Sequence, residues 1–281
     1  SLQSEVNFLE LDLRSYDECL EVTKNIDIVI HLASKVGGIG FYQSRPFEVM
    51  VDNINIDSNI IKASVSNGIK RFFYASSAHV YPLELQMSPE CPLISEEQAP
   101  PADPELSYGW AKLVGEKTLQ FAAQENPEMR IAMARYVGIY GKNQDFQLET
   151  GSVIPVFSHR AIRYPEISFS IWGTGEETRS YCFIDDAIEC TKLMIEKLEE
   201  EDIVGPLNVG RQKLTKIKDI ANKLVAISGK DVILKYDESK ETTIWGQLCD
   251  CSRAKELLGW EAKTSLEDGL KVVYEDVKSR I

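Results

Sequence analysis

The sequence predicts an α/β fold in which a doubly wound parallel sheet carries a smaller, interleaved α/β lobe. Short apolar runs that end in small residues alternate with helix-length segments in the first half of the chain. This alternation is typical of parallel strands joined by right-handed helical crossovers. It stops near residue 142, where shorter strands and turns follow. A chain of 281 residues, 43% of them hydrophobic, can bury one large core and a smaller one.

The first half begins with a short apolar run at residues 27–33 (DIVIHLA), which suits a buried strand. The next segment has helical spacing and closes at Asn67-Gly68, a helix-ending pair. A proline-rich loop then leads to a helix for which Ser107 is the expected N-cap. The predicted elements are helices at residues 46–67 and 107–124 and strands at residues 8–11, 27–33, 71–76 and 130–140.

The second half is expected to form the smaller lobe. Residues 167–172 and 178–184 flank the turn Gly173-Thr174-Gly175, which predicts a hairpin. The other predicted elements are helices at residues 151–163, 185–200, 214–228 and 266–280 and strands at residues 206–209 and 232–236. Because ligands bind beyond the carboxyl ends of parallel strands, one cleft should form where three loops meet, at residues 34–41, 77–82 and 137–150.

Composition and charge exclude several classes of function. A formal net charge of −13 disfavours a nucleic-acid partner, because phosphate backbones select basic faces. No apolar run reaches the roughly 20 residues of a membrane span, and the first residues lack the pattern of a signal peptide. The six cysteines form no C-x-x-C pair and the three histidines lie far apart, so we expect no metal site. Reduced thiols in a cytoplasmic protein are the expectation.

Tyr108 and Lys112 stand four residues apart on a predicted helix, and therefore share one helix face. An ammonium beside a phenol is expected to lower the phenol pKa from ~10 toward neutrality, which makes the tyrosine a usable acid and base. The same spacing occurs at Tyr236 and at Tyr274, so the spacing alone decides nothing. Only Tyr108 follows a strand that ends in serine at the predicted cleft, where the Ser77 hydroxyl can share a substrate oxygen with it.

Further motifs occur in order along nearly the whole chain: residues 36–41 (VGGIGF), 67–82 (NGIKRFFYASSAHVYP), 139–141 (IYG), 172–173 (WG), 178–180 (TRS), 183–185 (FID), 208–210 (NVG) and 258–260 (LGW). With Tyr108 and Lys112, they resemble the extended short-chain dehydrogenase/reductase family that acts on nucleotide sugars. The similarity is greatest to its GDP-mannose 3,5-epimerase branch and next to its GDP-fucose synthase branch. The resemblance implies a Rossmann-type fold, NAD or NADP as cofactor, and a nucleotide-sugar substrate, with a GDP-sugar favoured.

The resemblance also implies roles for particular residues. Residues 1–150 are then the dinucleotide-binding domain and residues 151–281 the substrate lobe. Ser77, Tyr108 and Lys112 are implied to oxidise the sugar at carbon 4, with Tyr108 accepting the hydroxyl proton. The implied cofactor contacts are Asp12, Leu13, Leu32, Ala33, Lys35, Ser76, Tyr108 and Lys112. The implied substrate contacts are Gly38, Gly40, Ser77, Gly138, Arg160 and Arg179.

His79 occupies the position of the family's second acid/base residue, two residues after Ser77. An imidazole with an unperturbed pKa near ~6.5 gives and takes protons at neutral pH, so His79 is the predicted proton carrier. Dehydratases of the family have Asp-Glu at Ala78-His79, which disfavours a 4,6-dehydratase. The additional base of the two-base relatives falls at Ser152 or Gln147, so the chain retains one base. Side chains that could replace the lost base are Gln147, Glu149, Lys142 and Arg160.

No glycine-rich G-x-x-G-x-x-G turn opens the sequence, and roughly one to two βαβ units are expected ahead of its first residue. Three functions therefore stay open. The first is an NAD(P)-dependent nucleotide-sugar epimerase that works through a transient 4-keto sugar. The second is an NADPH-dependent 4-keto nucleotide-sugar reductase, and the third is a non-catalytic sugar-nucleotide-binding subunit.

We also expect a homodimer in which the helices at residues 46–67 and 107–124 form a four-helix bundle.

Overall fold

The computed structural model describes residues 6–240 and 243–281. Its helices are α1 (Tyr16–Val22), α2 (Ile39–Ser44), α3 (Pro46–Ser66), α4 (Ser107–Glu125), α5 (Val153–Arg163), α6 (Ile184–Lys197), α7 (Ile217–Ser228), α8 (Ser252–Leu258) and α9 (Leu266–Ser279). Its strands are β1 (Ile28–His31), β2 (Arg71–Ser77), β3 (Arg130–Tyr136), β4 (Ile139–Tyr140), β5 (Ser170–Trp172), β6 (Thr178–Ser180), β7 (Cys182–Phe183), β8 (Ile203–Val209), β9 (Leu214–Lys216), β10 (Lys235–Asp237) and β11 (Gly246–Gln247).

The largest sheet has four parallel strands in the order β1-β2-β3-β8. Successive side chains of a strand point to opposite faces, so Phe72 and Tyr74 lie on one face of β2 and Phe73 on the other. The first face is buried against α1, α3 and α4, and the second against α6 and α8. Helices therefore cover both faces, which confirms the predicted doubly wound α/β fold.

The lobe consists of short strands and three helices around a second core. Strand β5 pairs with β10, and β6 lies between β11 and β9. Helices α5, α7 and α9 contribute the apolar side chains Phe157, Leu224 and Val273 to the core of this lobe. The chain also returns to the large sheet after entering the lobe, because β8 pairs with β3.

Two predictions about helix ends have opposite outcomes, one for the end of α3 and one for the start of α4. The helix beginning at residue 46 ends as expected, with Gly68 in the left-handed region at φ +69°. Ser107 is not the N-cap of α4, however, since the cap is Leu106 and no side chain caps the helix. Ser107 is the first residue of the helix, and its buried hydroxyl has no hydrogen-bond partner among the described residues. The helix therefore begins one residue earlier than the preference of serine for the N-cap predicts.

The predicted hairpin is wrong. Gly173 and Gly175 both have positive φ and form the expected turn, but β5 and β6 do not pair with each other. The Gly173 N–H donates to the Asp237 carbonyl and so continues the pairing of β5 with β10, whereas β6 pairs with β11 and β9. A turn between two short strands does not determine their pairing, because each strand pairs with whichever partner covers its side chains.

Four other predicted elements differ from those in the structure. The strand predicted at residues 130–140 breaks at Gly138, which has φ +55°. The helix predicted at residues 214–228 begins with strand β9, and the strand predicted at residues 232–236 is β10, shifted toward Asp237. Residues 8–11 form no strand, since no described strand lies beside them to supply hydrogen bonds.

Candidate functional site

The candidate site forms where β2 ends and α4 begins. Ser77 is the last residue of β2, and a short 3₁₀ turn, Ala78–Val80, carries His79. Helix α4 packs directly on this turn, because Gly109 has no side chain. A Cβ at Gly109 would lie 2.0 Å from the His79 carbonyl oxygen. The glycine therefore sets the distance between His79 and Tyr108, which is the next residue toward the start of α4.

Tyr108 lies against the imidazole and two serine hydroxyls. Its ring centroid is 5.8 Å from that of His79, and the hydroxyls of Ser34 and Ser77 lie close enough to its own to oppose part of the rise in its pKa. The ring of Tyr42 stacks on Tyr108 at 5.0 Å. The structure thus brings the predicted residues Ser77, His79 and Tyr108 together.

The predicted pKa shift of Tyr108 is reversed. Burial raises the pKa of this phenol well above its usual value, because the charged form is poorly solvated there. The ammonium of Lys112 lies 6.0 Å from the Tyr108 ring centroid, too far to offset the burial. Burial also lowers the pKa of Lys112 itself. The phenol is therefore protonated and can donate a proton at neutral pH.

Lys112 is held by a buried carboxylate that the sequence analysis missed. Its Nζ lies 3.8 Å from Asp57 Oδ1 and 4.8 Å from the ring centroid of Tyr74. Asp57 is itself fixed by the Tyr74 hydroxyl, which donates at 2.5 Å, and by His31 Nε2 at 2.8 Å. In the sequence, Asp57 is recognisable only as an acidic residue within the apolar face of the helix at residues 46–67. The fold is needed to show that it faces Lys112.

His79 is a neutral imidazole. Burial, assisted by the positive charge of Arg179, lowers its pKa to about 4. The expectation of an unperturbed His79 is therefore corrected. The ring can accept a proton at neutral pH, but it does not hold one to donate.

A cavity of about 350 Å³ opens next to His79. Its wall includes Gly38, Gly40, Arg160 and Arg179 from the predicted substrate contacts. The loop at residues 37–40 approaches the opposite wall closely, since a Cβ at Gly40 would lie 2.9 Å from the Trp172 ring. Side chains of the same wall that the sequence analysis missed are Tyr42, Glu105, Phe157, Trp172, Glu177 and Tyr181.

Four of the predicted catalytic and substrate-contacting residues lie outside the cavity wall, namely Ser77, Tyr108, Lys112 and Gly138. Ser77 and Tyr108 are behind it, since Tyr42 stacks on Tyr108 from the cavity side. Gly138 packs against the backbone, where a Cβ would lie 2.0 Å from the Ser180 carbonyl oxygen.

Two guanidinium groups bring positive charge to the cavity. Arg179 donates to the carbonyls of Thr178 and Ile244, each at 2.8 Å, and Arg160 donates to the Ser170 carbonyl. Neither guanidinium has a carboxylate of the described residues within ion-pair distance, although the nearby Glu105 and Glu177 act to raise the pKa of Arg179. Burial lowers the pKa of both arginines, which shows that their charge is poorly solvated. An anionic ligand would offset this cost.

The predicted cofactor contacts divide into two groups. Lys112, Tyr108 and the Ser34 hydroxyl form a polar cluster at the carboxyl end of the sheet, and the apolar side chain of Leu32, 60% exposed, lies on the path to it together with exposed Ala33. These residues fit the nicotinamide end of a dinucleotide, which needs polar groups for its ribose and an apolar face for its ring.

The remaining predicted contacts have protein partners. The Asp12 carboxylate pairs with Arg14, and the partly buried Leu13 packs against the α1 and α3 side of the sheet. The Lys35 ammonium binds Glu48 and Asp52. The Ser76 hydroxyl donates at 2.5 Å to Glu116, which forms a buried ion pair with Arg135.

A model of the NAD dependent epimerase/dehydratase family matches residues 1–210. The chain belongs to this family. A GDP-mannose 3,5-epimerase of Arabidopsis thaliana is 33% identical, and the match covers 96% of this chain and 70% of the relative. A GDP-L-fucose synthase of Escherichia coli is 27% identical over 95% of this chain and 88% of the relative.

Solved structures agree with this membership of the epimerase/dehydratase family. A UDP-glucose 4-epimerase of Thermotoga maritima, solved with UDP-glucose, superimposes with a TM-score of 0.85 at 26% identity. The superposition covers 99% of this chain and 87% of that one. A Thermus thermophilus UDP-glucose 4-epimerase in complex with NAD has a TM-score of 0.83 at 18% identity, covering 99% and 86% of the two chains, and shares the fold.

Among the described residues, neither a membrane-spanning helix nor a metal-binding cluster is found. No described helix combines the length and the apolar character that crossing a bilayer requires. Within residues 6–240 and 243–281, no group of three or more His, Cys, Asp or Glu side chains is arranged to hold a metal ion.

Proposed function

We propose that this chain is an NAD(P)-dependent nucleotide-sugar epimerase that works through a transient 4-keto sugar. The observation that carries the proposal is the convergence of Ser77, His79 and Tyr108 beside one cavity. The His79 and Tyr108 rings are 5.8 Å apart, which lets both act on one sugar ring if the Tyr42 ring that stacks on Tyr108 moves aside when the sugar binds. The hydroxyls of Ser77 and Ser34, next to that of Tyr108, would orient the reacting sugar hydroxyl.

Each protein group has a task in this reaction. When bound, a nicotinamide dinucleotide supplies a reversible hydride acceptor. For sugar oxidation, Tyr108 must act as phenolate and take the 4-hydroxyl proton. Burial opposes that form, and the Lys112 ammonium 6.0 Å from the ring centroid offsets it only in part, so the proposal requires the Tyr108 pKa to fall when substrate and dinucleotide bind. For the return step, the protonated phenol donates to the 4-keto oxygen. Because a ketone acidifies the neighbouring C–H bonds, the neutral imidazole of His79 can remove a proton from the adjacent carbon.

A GDP-sugar is the proposed substrate. The support is that relatives covering nearly the whole chain are named for GDP-mannose and GDP-L-fucose. Arg160 and Arg179 supply positive charge for a diphosphate, and a guanidinium suits phosphate oxygens. Under this proposal the sugar and its nucleotide contact the lobe at residues 151–281, and the dinucleotide contacts residues 1–150.

The test is conversion of GDP-mannose and UDP-glucose by the protein with NAD or NADP, followed by NMR of the sugar products. Tyr108→Phe should lower the rate by about 10²–10⁴, because proton transfer to a positioned side chain contributes that much. Tyr236→Phe is the matched control, since Tyr236 has the same spacing to a lysine but lies outside the cavity wall. Full activity of Tyr108→Phe, or no conversion by the unmodified protein, would contradict the proposal.

A 4-keto reductase is the second candidate, favoured by the similarity to a GDP-L-fucose synthase. The two candidates differ in the fate of the dinucleotide. An epimerase returns the hydride to the same sugar, so the nicotinamide absorbance stays constant during turnover. A reductase oxidises reduced dinucleotide in proportion to product. Stoichiometric loss of that absorbance would select the reductase.

A homodimer is part of the proposal. Helix α3 exposes Phe47 and Val51, and α4 exposes Trp110, Val114 and Phe121. Spacings of four and seven residues place each set on one helix face, and α3 packs beside α4. We expect sedimentation at twice 31.7 kDa and a shift toward monomer in Phe121→Glu. A monomeric unmodified protein would contradict this.

A cytoplasmic location is also proposed, because all six cysteines are buried free thiols. Alkylation of the denatured, unreduced protein should modify all six. Protection of any pair from alkylation would argue for an oxidising compartment.

A further inference from the structure

The cavity wall contains two buried polar atoms without a hydrogen-bond partner among the described residues. These atoms are Glu105 Oε2 and the hydroxyl of Tyr181. Tyr181 is only 8% exposed, so water does not satisfy it from the outer surface. An unsatisfied buried polar group costs about 1–3 kcal/mol. Two such atoms in one wall indicate that this end of the cavity is built to contact a polar ligand.

Glu105 is fixed relative to the other reactive groups. It lies three residues before Tyr108 in the sequence, immediately before the N-cap of α4. The preceding residue, Pro104, forms a β-bridge with Pro82, just beyond the turn that carries His79. The backbone on both sides of Glu105 is therefore held against the two elements that place His79 and Tyr108.

The environment of Glu105 favours a protonated carboxyl group. Burial raises its pKa, and the positive charge of Arg179 offsets this only in part. Burial moves the pKa of His79 in the opposite direction, so the imidazole is neutral. Burial therefore disfavours the charged form of both groups, and a carboxyl group that holds its proton beside a neutral imidazole is an acid and base pair.

The side chains that the sequence suggested as a second base are less suitable. Gln147 and Lys142 do not line the cavity. Glu149 lines it but is exposed to solvent, and Arg160 keeps its proton throughout the physiological range. Ser152 lines the cavity with a hydroxyl only. Glu105 combines a carboxyl group, a buried unpartnered oxygen and a fixed position.

We propose that Glu105 is a second catalytic residue, which delivers a proton to the sugar carbon from which His79 has taken one; inversion requires these two groups to approach opposite faces of that carbon. The inference rests on the epimerase function proposed above. In the 4-keto sugar, His79 takes a proton from the carbon next to the carbonyl, and the C–H electron pair forms an enolate. The Glu105 O–H bond then breaks and a C–H bond forms on the other face, leaving a carboxylate and an imidazolium. Solvent exchange resets both groups, so no oxidant or reductant is consumed.

The experiment follows the sugar protons in D₂O, using GDP-mannose or whichever of the two test sugars the unmodified protein converts. Glu105→Gln preserves the shape of the side chain and removes the acid. It should lower epimer formation by about 10²–10⁴. The starting sugar should still acquire deuterium with retained configuration, because His79 removes and returns the proton on its own face. Glu84→Gln, the same substitution at an exposed residue outside the cavity wall, should behave as the unmodified protein.

A second measurement does not depend on turnover. In infrared spectra recorded from pH 4 to pH 8, one carboxylic-acid carbonyl band should persist to higher pH than the bands of exposed carboxyl groups, and Glu105→Gln should remove this band whereas Glu84→Gln retains it. Wild-type epimer formation by Glu105→Gln, or no change in that band, would overturn the proposal. Joint loss of epimer formation and deuterium uptake in Glu105→Gln would also overturn it, since that result indicates a structural role. An unmodified protein that neither converts nor exchanges either sugar would refute the epimerase function itself, and this role with it.

Discussion

The neutral imidazole of His79 predicts a specific dependence of stability on pH. The folded protein binds a proton at His79 with a pKa of about 4, whereas the ordinary value is 6.5. Because the folded pKa is the lower one, the unfolded chain binds more protons in the window between these values. The contribution of His79 to stability is therefore fully present above pH 6.5 and is lost as the pH falls toward 4.

The magnitude follows from linkage. A shift from 6.5 to about 4 corresponds to a loss of about 2 kcal/mol between pH 8 and pH 5. His79 borders the cavity and is not fully shielded from water, which reduces the expected loss to about 1–2 kcal/mol. This is a large fraction of the ~5–15 kcal/mol that stabilises an ordinary domain.

The assay is urea unfolding at pH 8, 7, 6 and 5 for the unmodified protein and for His79→Asn. Other groups titrate in both proteins, so the difference between the two pH profiles isolates His79. Asn cannot titrate, and its profile should be flatter by about 1–2 kcal/mol across this range. NMR titration of the imidazole C–H resonances should give a midpoint far below 6.5. Parallel profiles for the two proteins would refute the argument that burial keeps this ring neutral.

Two further substitutions test the packing that positions the site. Gly109→Ala should destabilise the protein by about 1–3 kcal/mol in thermal unfolding. The new Cβ would clash with the His79 carbonyl oxygen, and relieving this clash requires the backbone to shift. An unchanged unfolding midpoint would contradict this. Glu116→Ala should cost about 3–5 kcal/mol in urea unfolding, since it leaves the buried Arg135 guanidinium without its carboxylate. Removal of an exposed ion-pair carboxylate in Glu128→Ala should cost at most about 1 kcal/mol, and equal losses in the two variants would refute the reasoning.

The order and type of the main elements could be predicted because they depend on local patterns. The apolar run at residues 71–76 became the centre of a parallel sheet, and the helical spacings at residues 46–67 and 107–124 became the two helices on one face. Tyr108 and Lys112 share a helix face by geometry alone. Ser77 and His79 follow a parallel strand, so their arrival at the same edge as α4 was also predictable.

The pairing of short strands was not predictable in the same way. β5 and β6 are neighbours in sequence, yet they belong to different sheets, because distant residues supply their partners. The local sequence also does not show how deeply a side chain is buried. Nothing near His79 or Glu105 in the sequence indicates that the pKa of one falls while that of the other rises.

The sequence by itself therefore determined which chemical groups this protein has and along which elements they lie, since spacing and periodicity are properties of the chain. Only the tertiary structure decided their protonation and their partners. Asp57 holds Lys112 from another helix, and burial keeps Tyr108 protonated where the sequence suggested a lowered pKa. The physical reason is that solvation and Coulomb interactions depend on distance in space, which the fold sets between residues far apart in the chain.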